Sequence, residues 1–109
     1  MPLDSSITVT GKLAPAPLPL PAGEDGKKPV VLVVDDDAGN REVLARRLAR
    51  LGCDVLMAGG VAEALALAKQ EPDIVLLDVN MPGMDGFQVL WRLKSDAALQ
   101  HIPVLMLSA

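Results

Sequence analysis

The stretch of sequence that decides the fold is VVLVVDDD, residues 30–37. It joins five apolar residues to three consecutive carboxylates. An apolar run without polar alternation predicts a strand that is buried on both faces, as strands of parallel sheets are. Two further runs end in the same way, since IVLL (74–77) meets Asp78 and VLML (104–107) meets Ser108. The polar residues therefore fall at the carboxyl ends of the predicted strands.

The segments between these runs have the pattern of amphipathic helices. We predict helices at about 38–51, 61–70 and 87–94, and a short further strand at 54–58. Gly52 marks the end of the first helix, as glycine commonly does. The alternation predicts an α/β fold, a flavodoxin-like doubly wound parallel sheet with four strands and three helices.

The chain divides into two parts by composition. Residues 1–28 hold five of the nine prolines, which predicts a disordered Pro-rich tail or linker. Residues 29–109 form the predicted folded domain. The charges of the tail cancel, so the net charge of −4 belongs to the domain.

Composition also excludes several classes of function. An acidic domain repels nucleic-acid phosphates and anionic lipid surfaces, so we expect neither nucleic acid nor membrane as a direct partner. No apolar run reaches the roughly 20 residues of a membrane-spanning helix. The single cysteine, Cys53, forms no internal disulfide. These features predict a cytoplasmic protein.

Asp35, Asp36 and Asp78 converge if their strands are neighbours in the sheet. Three carboxylates in one pocket repel each other, and a divalent cation relieves this repulsion. Oxygen-only ligands favour Mg²⁺ first and Mn²⁺ second. The alternative is that Asp36 or Asp37 only caps the following helix and that Asp78 only opens a turn.

A magnesium site of this kind indicates phosphoryl chemistry, because the ion keeps positions open for phosphate oxygens. Aspartyl phosphates are an established form of covalent catalysis. Asp78 stands alone at a strand end and is the better candidate for the nucleophile. The hydroxyl of Ser108 lies on the next strand and is placed to bind a phosphoryl oxygen.

Three motifs resemble the receiver domain of bacterial two-component response regulators. They are VVDDD (33–37), LLDVNMPGMDG (76–86) and IPVLMLSA (102–109). The resemblance covers residues 29–109 in order and at similar spacing. It identifies the domain as a receiver and implies that it promotes only its own phosphotransfer and dephosphorylation, so it is not an enzyme in the usual sense.

The resemblance implies a role for each matching residue. Asp78 accepts a phosphoryl group from a histidine kinase or phosphotransfer protein. Asp35 and Asp36 bind Mg²⁺, together with Asp78 and the backbone carbonyl of Asn80. Ser108 is the switch hydroxyl, and the response is carried by an output domain or protein outside this segment.

The sequence departs from the family after the fourth predicted strand. The family's fifth strand and its lysine have no counterpart beyond residues 104–107, so we expect a receiver that lacks its C-terminal part. The missing strand leaves 104–107 as an apolar sheet edge, which predicts self-association.

Two other functions stay open at this point. One is a receiver-like interaction module that works without phosphorylation. The other is a phosphohydrolase of the haloacid dehalogenase type, whose Asp-x-Asp signature Asp78 and Asn80 resemble only in part, because that chemistry needs an acid at the second position.

Overall fold

The computed structural model describes residues 27–78 and 86–107 and, for the backbone alone, residues 7–10. Five strands and three helices lie in these ranges. They are β1 (Ile7–Thr10), β2 (Val30–Val34), α1 (Ala38–Arg50), β3 (Asp54–Ala58), α2 (Val61–Ala68), β4 (Ile74–Asp78), α3 (Gly86–Ser95) and β5 (Val104–Leu107). No helix in the described ranges is both long enough and apolar enough to cross a membrane.

The strands form one parallel sheet in the order β1-β5-β4-β2-β3. β3 lies on one side of β2, and the later strands β4 and β5 lie on its other side. This order is the topology of a doubly wound sheet. Because every strand runs the same way, all carboxyl ends meet at one edge. The predicted α/β fold is confirmed, with its four strands and three helices in the predicted order.

The core has two layers because successive residues of a strand point to opposite faces. Leu32 and Val34 belong to the apolar cluster under α2 and α3. Val31 and Val33 belong to the cluster that includes Leu48 of α1. All four residues of β2 named here are at most 1% exposed. The apolar run at 30–34 is thus explained by burial on both faces.

Helix α1 begins and ends on residues suited to those positions. The Oδ1 of Asp37 accepts a hydrogen bond from the N–H of Asn40 at 3.0 Å, so Asp37 is the N-cap. At the other end Gly52 has φ +91°, in the left-handed region that favours glycine. The capping interpretation is confirmed for Asp37, and the predicted end of the helix is confirmed at Gly52.

Strand β1 was not predicted. It lies inside the segment 1–28, which the prolines led us to interpret as disordered, and it pairs in parallel with β5. The sequence ITVT of β1 consists of β-branched residues, which favour strands. The division of the chain at residue 28 stays a prediction.

The pairing of β1 also corrects the expectation for residues 104–107. We expected this strand to be an open edge, but β5 lies between β4 and β1 in the sheet. Self-association through an uncovered β5 is therefore wrong for this arrangement. The reason is that a segment distant in sequence supplies the neighbouring strand.

Lys94, near the end of α3, holds the connection to β5. Its Nζ donates to the carbonyl oxygen of Gln100 at 3.0 Å and to that of Ile102 at 2.8 Å. Pro103 follows Ile102 directly and β5 begins at Val104. A single ammonium group thus positions the entry to β5.

We expect Lys94→Met to lower the free energy of unfolding by about 1–2 kcal/mol, because two hydrogen bonds from a charged donor are lost while the aliphatic stem is kept. Lys69→Met removes an exposed ammonium at the end of α2 and is the matched control. Chemical denaturation of both variants measures the difference. Equal stability of the two variants would show that the Lys94 bonds contribute nothing.

Candidate functional site

The sheet register brings Asp35 and Asp78 to the same edge. Val34 of β2 pairs with Leu77 of β4, so residues 35 and 78 follow at adjacent positions on neighbouring strands. The N–H of Asp35 donates to the carbonyl oxygen of Ala58 at 3.1 Å, which extends the contact of β2 with β3 by one residue. The candidate site lies at the carboxyl edge of the sheet, where ligands of such folds bind.

The side chain of Asp35 is buried, and Asp35 is 8% exposed as a whole residue. Burial raises the pKa of Asp35 above its ordinary value. The hydrogen bond from the Asp37 N–H to Asp35 Oδ1, at 2.9 Å, acts in the opposite direction. The negative charges of Asp78, Asp36 and Asp37 raise the pKa further. Asp35 is thus a buried acid close to three other carboxylates.

The carboxylate oxygens around Asp35 are the type of donor atom that binds a hard divalent cation. Carboxylate oxygens are the ligands that Mg²⁺ prefers, and repulsion around Asp35 is relieved by positive charge. The described residues do not, however, bring together three or more Asp, Glu, His or Cys side chains in a group that could hold a metal ion. The carboxylates near Asp35 lie close enough to affect its pKa. Within the described ranges, however, they do not form a complete set of metal ligands.

The structure describes some of the predicted site residues and not others. Asp35 and Asp78 share one edge, and Asp36 is half-buried beside them. Asn80 and Ser108 lie outside the described residues, so their roles stay predictions. A metal site formed by Asp35, Asp36 and Asp78 stays a prediction.

Arg41 is a feature of the site that the sequence analysis missed. Its Nη1 donates to the backbone carbonyl oxygen of Asp35 at 2.7 Å, and the residue is half-buried. The guanidinium lies against Gly59, where an added Cβ would be 2.8 Å from Nη1. The absence of a side chain at Gly59 therefore makes room for Arg41. In the sequence, the one indication of this contact was Gly59, the glycine directly after β3.

We expect Asp35→Asn to raise the free energy of unfolding at neutral pH, in chelator. The amide keeps an oxygen that can accept from the Asp37 N–H, and it removes a charge that burial and neighbouring carboxylates disfavour. Urea denaturation of the variant and the wild type measures the change.

The matched control is Asp37→Asn, which removes one charge from the same loop and keeps a good N-cap residue. We expect a smaller gain from it, because Asp37 is exposed. The gain from Asp35→Asn should shrink as the pH falls through the raised pKa of Asp35, since protonation neutralises the carboxylate. A loss of stability, or a gain independent of pH, would contradict the assignment of a buried charge.

Gly59→Ala should displace Arg41 and lower the free energy of unfolding by about 1 kcal/mol, because the hydrogen bond to Asp35 is lost. A double-mutant cycle with Arg41→Ala tests this directly. In the Arg41→Ala background the methyl group at position 59 no longer meets a guanidinium, so Gly59→Ala should cost little. Equal costs in both backgrounds would show that Gly59 and Arg41 are not coupled.

A family model described as the response regulator receiver domain matches residues 31–109. Receiver domains of response regulators are in general signalling modules and not enzymes. The match includes all three motifs on which the resemblance was based.

Curated relatives agree with this match. The chain is 46% identical over 80 residues to the response regulator PleD of Caulobacter vibrioides, which covers 72% of this chain and 18% of PleD. It is 40% identical over 79 residues to the protein PilH of Pseudomonas aeruginosa, which covers 72% of this chain and 65% of PilH. The chain thus spans only part of the length of these relatives.

Solved structures agree as well. The N-terminal domain of a response regulator receiver protein from Methanoculleus marisnigri JR1 superposes with a TM-score of 0.68 at 44% identity, over 73% of this chain and 66% of that one. The chemotaxis response regulator CheY4 of Vibrio cholerae superposes with a TM-score of 0.67 at 33% identity, over 73% of this chain and 68% of that one. Motif, topology and comparison agree, and the chain belongs to the response regulator receiver domain family.

Proposed function

We propose that this domain is a phosphoacceptor in phosphorelay signalling and that Asp78 receives the phosphoryl group. The observation that carries the proposal is the position of Asp78. It ends β4 at the carboxyl edge of the sheet, beside the buried Asp35, whose pKa its charge helps to raise. An acidic site of this kind attracts a cation, and the cation in turn favours binding of phosphate oxygens.

The proposed donor is a phosphohistidine on a histidine kinase or phosphotransfer protein. A carboxylate oxygen of Asp78 attacks phosphorus, the bond from phosphorus to the donor nitrogen breaks, and the electron pair stays on the imidazole, which takes a proton from solvent. The product is an acyl phosphate on Asp78. The nucleophile stands at the end of a strand that is paired on both sides, which orients it for this attack.

Mg²⁺ is the proposed cofactor, with Mn²⁺ as second choice. Asp35 and Asp36 would hold it, together with Asp78 and the backbone carbonyl of Asn80. When bound, the ion neutralises charge on the phosphoryl oxygens and on the carboxylates around it. Arg41 acts here by holding the backbone of Asp35, since its hydrogen bond goes to the carbonyl oxygen.

We propose further that Ser108 binds a phosphoryl oxygen and reports the modified state. Ser108 directly follows β5, and Leu107 pairs with Asp78 in the sheet. The response would then pass to an output domain or protein outside this segment, in the cytoplasm. Neither nucleic acid nor membrane is a proposed direct partner, because the domain is acidic.

An interaction module that works without phosphorylation is the second candidate. One observation favours it: the residues in 27–78 and 86–107 contain no group of three or more Asp, Glu, His or Cys side chains that could hold a metal ion. The phosphohydrolase alternative gains no support from the site, because the residue two positions after Asp78 is an amide.

The test is the intact mass of the chain after incubation with Mg²⁺ and acetyl phosphate. We expect the mass of one phosphoryl group to be added, and we expect the addition to disappear with chelator and in the Asp78→Asn variant. Asp73→Asn removes an exposed carboxylate just before β4 and is a charge-matched control that should still be modified.

Failure of a folded wild-type chain to gain mass, with both acetyl phosphate and a phosphorylated histidine kinase as donor, would overturn the proposal. Partner binding that is the same for the wild type and Asp78→Asn would then support the interaction module. Modification that persists in Asp78→Asn would place the phosphoacceptor elsewhere in the chain.

A further inference from the structure

Strand β3 (Asp54–Ala58) forms an edge of the sheet. Among the described strands only β2 lies beside it, so its other side has no neighbouring strand in that part of the chain. Its sequence, DVLMA, carries one charge at the first position and contains neither lysine nor proline, the residues that commonly protect an edge strand. Met57 is 46% exposed. An edge of this composition favours pairing with a further strand.

The main-chain groups of β3 alternate between β2 and the open edge. The N–H of Asp54 donates at 2.9 Å to the residue that precedes β2, and the carbonyl oxygen of Ala58 accepts at 3.1 Å from the residue that follows β2. In a parallel ladder every second residue bonds to the same neighbour, so residue 56 also bonds to β2. The N–H and C=O groups of Val55 and Met57 therefore point toward the open edge, symmetrically about Leu56.

A groove of about 410 Å³ lies between this edge and α1. Val55 and Met57 line it on the strand side, and Ala45 and Ala49, about one helical turn apart, line it on the helix side. The small alanine side chains leave the space above the strand edge open. A strand added to β3 would place every second side chain in this groove.

Two contacts fix the level of α1 against β3. At one end of the strand the guanidinium of Arg41 lies against Gly59. At the other end the N–H of Cys53 donates to the carbonyl oxygen of Leu48 at 3.1 Å. Helix α1 therefore runs antiparallel to β3, and its middle, near Ala45, lies level with the middle of the strand.

We propose that two copies of this chain pair through β3, with the two strands antiparallel and a two-fold axis normal to the sheet at Leu56. In this register Val55 of each copy lies opposite Met57 of the other, and the two residues exchange both of their main-chain hydrogen bonds. The outward-facing groups of one copy are thus satisfied by the same groups of the other. The proposal does not depend on phosphorylation of Asp78 and goes beyond the proposed function.

The charges in the groove are complementary in this arrangement. Glu42 and Arg46 both line the groove, and within one copy they form an exposed ion pair at 2.7 Å. The two-fold axis sets the two α1 helices antiparallel, so Arg46 of each copy lies near the level of Glu42 of the other. Each arginine then has two acidic neighbours. A strand of unrelated sequence supplies no such charges, which favours a second copy of this chain as the occupant.

The two α1 helices fit side by side above the paired strands. Helix α1 contacts both β2 and β3, so its axis lies over the space between them. With strands about 4.8 Å apart, the axes of the two helices are about 10 Å apart, which is within the usual range for packed helices. Ala45 faces the groove at the level of the two-fold axis, so small side chains meet where the helices are closest.

A single cysteine at the two-fold axis tests the register. Leu56→Cys is made in the full chain together with Cys53→Ala, which removes the native thiol. In the proposed dimer residue 56 lies opposite its own copy in a non-hydrogen-bonded pair, with Cα atoms about 4.5 Å apart, a separation that a disulfide spans. We expect oxidation to give a disulfide-linked dimer, identified by intact mass and peptide mapping.

Asp54→Cys in the same background is the matched control. Residue 54 lies opposite residue 58 of the other copy, so the two copies of position 54 are about 14 Å apart and beyond the reach of a disulfide. Asp54 is exposed, whereas Leu56 is half-buried. Random collision would therefore cross-link Asp54→Cys at least as well as Leu56→Cys, and that result would overturn the proposed register.

Sedimentation equilibrium of the full chain measures the dimer without a cross-link. Met57→Lys places a charge where the two strands meet, and we expect the dissociation constant of the dimer to rise by about tenfold or more. Val43→Lys adds the same charge at an exposed apolar residue of α1 outside the groove. This control should leave the dissociation constant unchanged.

A wild-type chain that stays monomeric over its whole range of soluble concentrations would overturn the proposal. A dimer that Met57→Lys leaves intact would also overturn it, because such a dimer uses another surface. If Leu56→Cys does not fold, Val55→Cys mixed with Met57→Cys takes its place, since these positions lie opposite each other in the proposed register. The mixture should cross-link, and each of these two variants alone should not.

Discussion

The acidic site depends on the burial of β2 on both faces. Val31 and Val33 fill one layer of the core and Leu32 and Val34 fill the other, so the strand has no solvent-exposed side. Asp35 directly follows this strand, so the chain leaves the sheet between two neighbouring strands. Asp35 is therefore buried, between neighbours β3 and β4, and carries a carboxylate where burial and nearby charges disfavour it.

The surrounding residues hold this carboxylate in position without neutralising it. The Asp37 N–H donates to its Oδ1, and Asp37 in turn caps α1. Arg41 brings a cationic side chain to this segment, but its hydrogen bond goes to the backbone carbonyl oxygen of Asp35. The arrangement fixes the geometry of the loop, and the residues in 27–78 and 86–107 form no ion pair with this carboxylate. A buried charge of this kind is consistent with the proposed binding of a cation together with phosphate.

Local patterns in the sequence predicted most of the fold. Uninterrupted apolar runs predicted β2, β4 and β5, and Gly52 predicted the end of α1, because these features act over a few neighbouring residues. Two features depended on contacts between distant segments and were missed. Strand β1 pairs with residues almost a full chain length away, and Arg41 needs space at Gly59 that no local pattern reports. The convergence of Asp35 and Asp78 was predictable because parallel strands align their carboxyl ends.

We propose that the buried charge at Asp35 makes this edge of the sheet a site for a divalent cation. The most direct test is the free energy of unfolding as a function of Mg²⁺ concentration, for the wild type and for Asp35→Asn. The account predicts saturable stabilisation of the wild type, about 2.7 kcal/mol at a hundred times Kd, and little or none in the variant. Equal stabilisation of both proteins, or no effect of Mg²⁺ on the wild type, would contradict it.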